Sequence, residues 1–290
     1  MAAARGQATV HFTRSDGRTF AIDDSPMGLV ELSGVDAPAV EIFTEKNAVG
    51  DGDIVTGQRT ASRLITVKAR ERGTRLNRQM RALASSFFTP TYSFDATIAY
   101  NGSTRTARDC RLKALALPTG NVYAPLDLTL SLLCPTGYLD GGGLHGEDLN
   151  SITPGLGWPF VSLEGRGFLF GRHNFSKTIT VNNSGVAPTW ARAVFTAIGA
   201  DAVQNPKLTR GSAYVRVLCA LNPGDVLEID TEARTVRLNG QNVLNKVDKR
   251  SNFQQMVMGV GLNTIGFDAD THDNQLSVRV YYAIRYNGMG

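Results

Sequence analysis

From Ser176 to Tyr286 the chain is one short alternating run after another: SKTITVNN, WARAVFTAI, AYVRVLCAL, DVLEID, RTVRLNG, NTIGFD and LSVRVYYAIRY, divided by Asn, Gly, Pro and Asp. Alternation with a period of two places apolar side chains on one face of an extended strand. Many such runs with no helical spacing between them specify an antiparallel β-sandwich. At 290 residues the chain exceeds the usual size of one domain, so two are expected.

The first half is also mainly β. ATVHF, RTFAI and MGLVEL read as short strands, and Leu64, Ile65 and Val67 form another after the turn region GDGDIVTG. The period then changes. Leu76, Met80, Leu83 and Phe87 fall at helical spacing, with Thr74 as N-cap, which predicts one α-helix over about 74–88. Next comes a long hairpin turned at Asn101-Gly102, the dipeptide suited to a two-residue turn with positive φ. LDLTLSLLCP ends this half, and a Gly-rich stretch follows. The expected organisation is therefore 1–137 as an N-terminal β-sandwich with one helix, 138–172 as linker, and 173–290 as the C-terminal sandwich.

Three acids at alternate positions, Glu228, Asp230 and Glu232, raise the question of catalysis. A glycosidase needs two carboxyls on opposite sides of a substrate, one with a raised pKa. Within DVLEID, however, Leu227 and Ile229 take one face and Glu228 and Asp230 the other, opposite a strand carrying Arg234 and Arg237. An outward hairpin face with cross-strand pairs explains them, and Asp230-Thr231 suits turn initiation. DADTHDN (Asp268, Asp270, Asp273) lacks the spacing of an EF-hand loop, and HGED at 145–148 has no second histidine at metal spacing. The glycine-rich stretches match no phosphate-binding pattern, and there is no GxSxG elbow. No enzyme activity, metal or cofactor is expected.

The three cysteines, Cys110, Cys134 and Cys219, are distant in sequence and read as buried thiols. No apolar run approaches the ~18–20 residues of a membrane span, and the N-terminus lacks the apolar core of a signal peptide, so folding in a cytoplasm is expected. Between Arg59 and Arg81 eight basic residues face Glu71 alone: Arg59, Arg63, Lys68, Arg70, Arg72, Arg75, Arg78 and Arg81. Arg75, Arg78 and Arg81 form a stripe beside the apolar helix face and are candidate inter-subunit contacts. No recognition-helix or base-stacking pattern accompanies them, so sequence-specific nucleic-acid binding is not expected.

The second half resembles the C-terminal domain of the distal tail (Dit) proteins of long-tailed bacteriophages. VNNSGVAPTWARAVFTAIG carries the Asn182, Gly185 and Pro188 pattern, QNPKLTR the Asn205-Pro206 step, and LNPGDVLEIDTEARTVRLNGQNV a hairpin marked by Gly224, Asp225, Ile229, Asp230 and Thr231. RSNFQQMVMGVGLNTIGFD follows, with Ser251, Phe253, Gly261 and Asn263 in place. The first half is similar in the order of its elements, and its opening departs from the family's usual Phe-Asn-Gly start.

The resemblance implies a structural virion protein at the distal end of the tail, closed into a homohexameric ring through its N-terminal domains. Its implied partners are the major tail tube protein, the tail-associated hub or lysin protein, the tape measure protein, and receptor-binding or side-fibre proteins. The Asn101–Gly102 hairpin is expected to reach an adjacent subunit. The alternative is a carbohydrate-binding sandwich, for which Trp158, Trp190, Tyr281 and Tyr282 supply the available rings; Trp190 and Tyr282 read as core.

Overall fold

A computed structural model of the protein describes residues 8–24, 26–47, 50–72, 77–120, 124–154 and 171–289, with the side chains of 150–154 and 171–175 outside the description. The chain divides into two units, Met1–Gly143 with Arg285–Gly290, and Leu144–Ile284.

The first unit contains β1 (Thr9–Arg14), β2 (Thr19–Ile22), β3 (Met27–Ser33), β4 (Val40–Lys46), β5 (Asp53–Thr60), β6 (Arg63–Glu71), α1 (Asn77–Phe87), β7 (Ser93–Tyr100), β8 (Ser103–Ala116) and β9 (Asp127–Cys134). Seven strands pair antiparallel in the order β2-β1-β7-β8-β9-β6-β3. β6 alternates buried and accessible residues along its length, and Ile65, Val67 and Ala69 enter the core with Val10, Phe12, Phe94, Leu128, Leu130 and Leu132. β7 and β8 turn at Asn101 and Gly102, both at positive φ, as the Asn-Gly dipeptide predicts. The hairpin is nonetheless no projecting arm. β7 is paired with β1 as far as Ala99, and β8 with β7, β9 and the following strand, while the tip at Tyr100–Gly102 is exposed. A bulge between Leu112 and Ala114 lets the fourteen-residue β8 bend between these neighbours.

Helix α1 is where the sequence placed it, although Thr74, Arg75 and Leu76 lie outside the described residues. Its buried face is Met80, Ala84 and Phe87, while Leu83 is exposed. At 100° per residue Ala84 stands 40° and Phe87 20° from Met80, but Leu83 falls 60° away, off the packed arc. The C-terminus of α1 has a partner the sequence reading missed. Arg14, 4% exposed, donates to the carbonyls of Ser86 and Phe87 at 3.1 Å each, stacks on Tyr92 at 4.1 Å, and is held by Asp16 through Nε at 2.8 Å. A cation satisfying the free carbonyls of a last helical turn also meets the negative end of the helix dipole.

This arrangement gives an acid prediction. The hydrogen bond from Arg14 lowers the Asp16 carboxyl from 3.8 to about 2. A folded pKa below the unfolded value adds stability above the unfolded pKa and loses it as pH falls through the folded one. Thermal melts should therefore fall between pH 3.8 and about 2, and Asp16→Asn should remove part of that slope. Parallel slopes for the two chains would exclude Asp16 as a contributor.

Beyond β9 come β10 (Leu139–Asp148), β11 (Asn150–Pro154) and β12 (Gly171–Phe175), with β11 and β12 antiparallel. The stretch expected as linker is thus strand at both ends; residues 155–170 lie outside the description. Glycine weakens a strand without forbidding it, and Gly141 pairs with Arg105 of β8. The sequence boundary at 173–290 differs in a second way, because residues 285–290 belong to the first unit.

The second unit holds β13 (Thr178–Asn183), β14 (Ala191–Ala197), β15 (Val203–Gln204), β16 (Lys207–Arg210), β17 (Ala213–Arg216), β18 (Ala220–Leu221), β19 (Val226–Asp230), β20 (Thr235–Leu238), β21 (Gln241–Asn242), β22 (Gly261–Asp268) and β23 (Leu276–Tyr286) as far as Ile284. One antiparallel sheet runs β23-β14-β19-β20-β21 and a second runs β13-β22-β16-β17. Buried alternate residues of each, Phe195, Leu227, Ile229, Val278 and Val280 on one and Val181, Leu208, Val215, Ile265 and Phe267 on the other, make it the expected antiparallel sandwich. Trp190 begins β14's approach and is half-buried, whereas Tyr282 is buried.

Candidate functional site

The acids of the β19–β20 hairpin are partnered as strand chemistry requires. Glu228 lies opposite Arg237 and forms an ion pair with Arg192 of β14 at 2.6 Å. Asp230 accepts the N–H groups of Glu232 (3.0 Å) and Ala233 (2.8 Å), closing the turn. Thr231 is fully buried; its hydroxyl donates to the Ala191 carbonyl at 2.7 Å and accepts the Ala191 N–H at 3.1 Å. Asp268 and Asp270 meet cations instead of an empty cavity: Asp268 pairs with Lys207 at 2.9 Å and Lys177 at 3.4 Å, Asp270 with Arg216, and Asp273 with Lys177. His145 stacks on Tyr282 at 5.4 Å. Among the described residues no cluster of three His, Cys, Asp or Glu side chains is arranged to hold a metal ion.

The remaining pattern residues of the second unit are turn and loop devices. Gly185, buried, donates its N–H to the Asn183 side chain at 3.1 Å, and Asn183 in turn donates to Ala187 and Gly259; Pro188 is exposed beside them, as is Asn182. Asn205 sits at positive φ, holds Asp270 at 2.8 Å, and is followed by buried Pro206. Gly224 has φ +88, and Asp225 accepts from the Asn222 N–H and the Asn239 side chain at 2.8 Å each, bonds that depress its pKa. Gly261 opens β22 at φ +90, and Asn263 binds the carbonyls of Gly259 and Gly261 while accepting from Arg210. Ser251 accepts the N–H of Arg216 at 3.0 Å, and Phe253 caps a short 3-10 turn.

The basic stretch does not form one patch. Arg59 pairs with Glu41, Lys68 with Glu31, Arg70 with Asp127 and Arg72 with Asp24. Arg81 donates to the carbonyls of Leu117 and Pro118 at 2.6 Å each, and Arg63 is buried among carbonyls. Arg78 is exposed on α1, and Arg75 lies outside the described residues. The linear charge run comes apart because β5, β6 and α1 present it on different elements, each with its own acids or carbonyls.

The conspicuous surface is elsewhere. β4 and β5 pair only with each other, through Val40↔Thr60 to Lys46↔Asp53, and every residue of β4 is exposed. Val40, Ile42, Phe43, Ile54 and Val55 are 47–63% exposed on this one hairpin. Its base is rooted in the first unit by the Thr60–Tyr138 hydroxyl bond at 2.8 Å, and the Ala61 N–H to Ala39 carbonyl bond extends its own ladder. An isolated two-stranded hairpin is marginal in water, and clustered exposed apolar groups mark an interaction surface. The same unit has a mixed recess of about 450 Å³ beside edge strand β3, where Leu29, Leu32, Val35 and Met289 line it together with the acids Glu31 and Asp36. An open groove of about 640 Å³ in the second unit, between Arg210, Gln255, Leu262 and Asn263, has no aromatic ring among its lining residues. Trp158 lies outside the description, Tyr281 is half-buried, and among the described residues none of the rings offered by the alternative sugar-binding reading lines that groove.

Residues 184–286 match the family model described as siphovirus-type tail component, C-terminal domain. Among solved structures the chain is similar to the Dit protein of phage SPP1, described as a paradigm of the hub adsorption apparatus in phages infecting Gram-positive bacteria. That match has 16% identity, a TM-score of 0.61, and covers 94% of this chain and 98% of that one. Two structures of the phage P2 baseplate in its activated conformation, one with calcium and one with strontium, are similar at 9% and 11% identity. Their TM-scores are 0.56 and 0.57, each over 96% of this chain and 97% of that one. The search of curated proteins gave no match. These likenesses are of fold, and they bear out the mainly β distal-tail-type architecture expected from the sequence.

Proposed function

We infer that this chain, whose residues 184–286 match a siphovirus-type tail component domain, is a structural part of a phage tail whose copies close into a hexameric ring through the first unit. In this reading the ring joins the tail tube to the hub protein, and the second unit offers docking surface to receptor-binding proteins without catalysing a reaction. The observation that carries it is the β4–β5 hairpin, apolar on a surface left uncovered in a single copy. The recess beside β3 is the socket we assign to it on the next copy. A knob and a socket at different places on one chain make a heterologous contact, and repetition of such a contact closes a ring when the rotation allows. In this reading β4–β5 adds a contact beside the one expected of Asn101–Gly102, whose tip is exposed.

The test is the mass of the purified chain by light scattering on a sizing column. One copy is 31.3 kDa, so a ring of six should measure about 188 kDa, six times 31.3. The double substitution Ile42→Asp with Val55→Asp should return the mass to 31.3 kDa while leaving the far-ultraviolet circular dichroism spectrum unchanged. A wild-type chain that stays at single-copy mass at high concentration would sink the self-closing reading.

A further inference from the structure

The cysteines that look unrelated in sequence meet in space. β8 and β9 pair through Arg111↔Leu133, and one antiparallel step beyond that pair sets residue 110 opposite residue 134. The row continues on both sides, with Phe94 of β7 opposite Cys110 and Arg63 of β6 opposite Cys134. Both thiols are fully buried and unbridged, and their Sγ atoms are 2.7 Å apart. That is only about 0.7 Å beyond the ~2.05 Å of a sulfur–sulfur bond. Residues directly opposite on antiparallel strands have Cα atoms roughly 4.5–5.5 Å apart, inside the range a disulfide spans.

The two sulfurs are not equivalent. The hydrogen bond from Cys110 and the nearby Arg63 guanidinium lower the Cys134 pKa against the effect of burial. The Cys110 thiol is raised by the same hydrogen bond and by burial. Arg63 stands opposite Cys134 in the strand row, so its cation favours a thiolate there, and Cys110 is the resolving thiol. Cys219 belongs to the second unit and has no part in the pair.

We propose that Cys110 and Cys134 are an oxidisable pair that forms a cross-strand disulfide when the chain meets an oxidising medium, with a small-molecule disulfide of the glutathione class as oxidant. The Cys134 thiolate attacks one sulfur of the oxidant and releases one small-molecule thiolate, leaving a mixed disulfide on Cys134. Cys110 then loses its proton, attacks the Cys134 sulfur and expels the second small-molecule thiolate. One disulfide is consumed and one is made, and the two protein protons end on the two released thiols. Because both sulfurs are shielded, exchange proceeds through folding or transient opening of the β8–β9 pair. The bond then closes the chain between residues 110 and 134 in the middle of the first unit's sheet. This inference is independent of the ring, and its readout is a thiol count, not a mass of assembly.

The full chain is unfolded in urea, refolded in a buffer of oxidised and reduced glutathione, quenched with an alkylating agent, and weighed intact. A second sample, never unfolded, is held in the same buffer and drawn over days. The proposal expects one alkylated cysteine, Cys219, a loss of about 2 Da from the three-thiol chain, and a proteolytic peptide pair joining Cys110 to Cys134. Cys110→Ser should stop the reaction at the mixed disulfide on Cys134. Three alkylated cysteines in both samples would overturn the proposal, as would a bridge that includes Cys219.

Discussion

Replacing Arg63 by methionine lowers the first unit's thermal midpoint by about 6–12 °C, read by circular dichroism, while Arg59→Met leaves it within about 2 °C. Both arginines belong to the same sequence run, and their surroundings separate them. Arg59 is an exposed partner of Glu41, and exposed ion pairs contribute roughly 0–1 kcal/mol. Arg63 is 4% exposed and donates to the carbonyls of Gly34 (3.0 Å), Asp36 (2.7 Å), Gly137 (3.1 and 2.7 Å) and Asn287. Those carbonyls come from three distant stretches, so one guanidinium gathers the end of β3, the exit of β9 and the chain's last residues. Methionine fills much of the volume but donates nothing. Each buried acceptor left unpaired costs about 1–3 kcal/mol, partly offset because the charge no longer has to be desolvated. A net loss of about 2–4 kcal/mol is the result, and at about 3 °C per kcal/mol for a unit of this size it gives the stated shift.

The backbone around Arg63 is shaped to reach it. Gly34 has φ +79, and a Cβ there would stand 1.9 Å from the Leu64 carbonyl oxygen. Only glycine permits that approach, which turns the Gly34 carbonyl toward the guanidinium. If Arg63→Met melted like wild type, the carbonyl cluster would be satisfied by water and the arginine would be incidental.

What could be read from the sequence follows the range of the physics involved. Alternation in DVLEID, the Asn101-Gly102 turn and the acids of the β19–β20 hairpin are local, and each is as expected from neighbouring residues. The helix was local too, but the choice of Ala84 over Leu83 for its buried face depends on where the sheet stands. Arg14, Arg63 and the Cys110–Cys134 pair depend on contacts between residues 24 to 224 apart in sequence, which no spacing rule reveals. The pairing of the Asn101–Gly102 hairpin has the same origin. β8 looked like an arm because it is long, yet its length serves three neighbours in turn. The stretch GDGDIVTG reads as a turn region because Gly and Asp crowd it, yet Asp53–Thr60 is strand β5, held by its pairing with β4.

Phe88→Ala should be the most damaging single truncation in the first unit, costing about 3–5 kcal/mol and lowering its melting midpoint by roughly 10–15 °C. Phe88 is 2% exposed and follows α1 directly, so it enters the core with Phe87 as the helix ends. Its ring contacts Phe12, Phe20, Phe87 and Phe94 at centroid distances of 4.9–5.6 Å, three of the four pairs edge-on or nearly so and the fourth, with Phe94, tilted. Aromatic pairs in such geometry add about 0.5–1.5 kcal/mol beyond burial, and here one ring serves four. Removing it leaves a void bounded by stiff rings from β1, β2, β7 and α1 that cannot collapse without moving the sheet, the condition under which cavity cost is highest. Phe88→Leu keeps most of the volume and should lose about 1.5 kcal/mol or less, and Leu83→Ala, on the exposed helix face, about 0.5 kcal/mol or less. Calorimetry on the three variants orders them unambiguously. Equal losses for Phe88→Ala and Leu83→Ala would mean that the helix is held by its neighbours in the chain and not by this aromatic cluster.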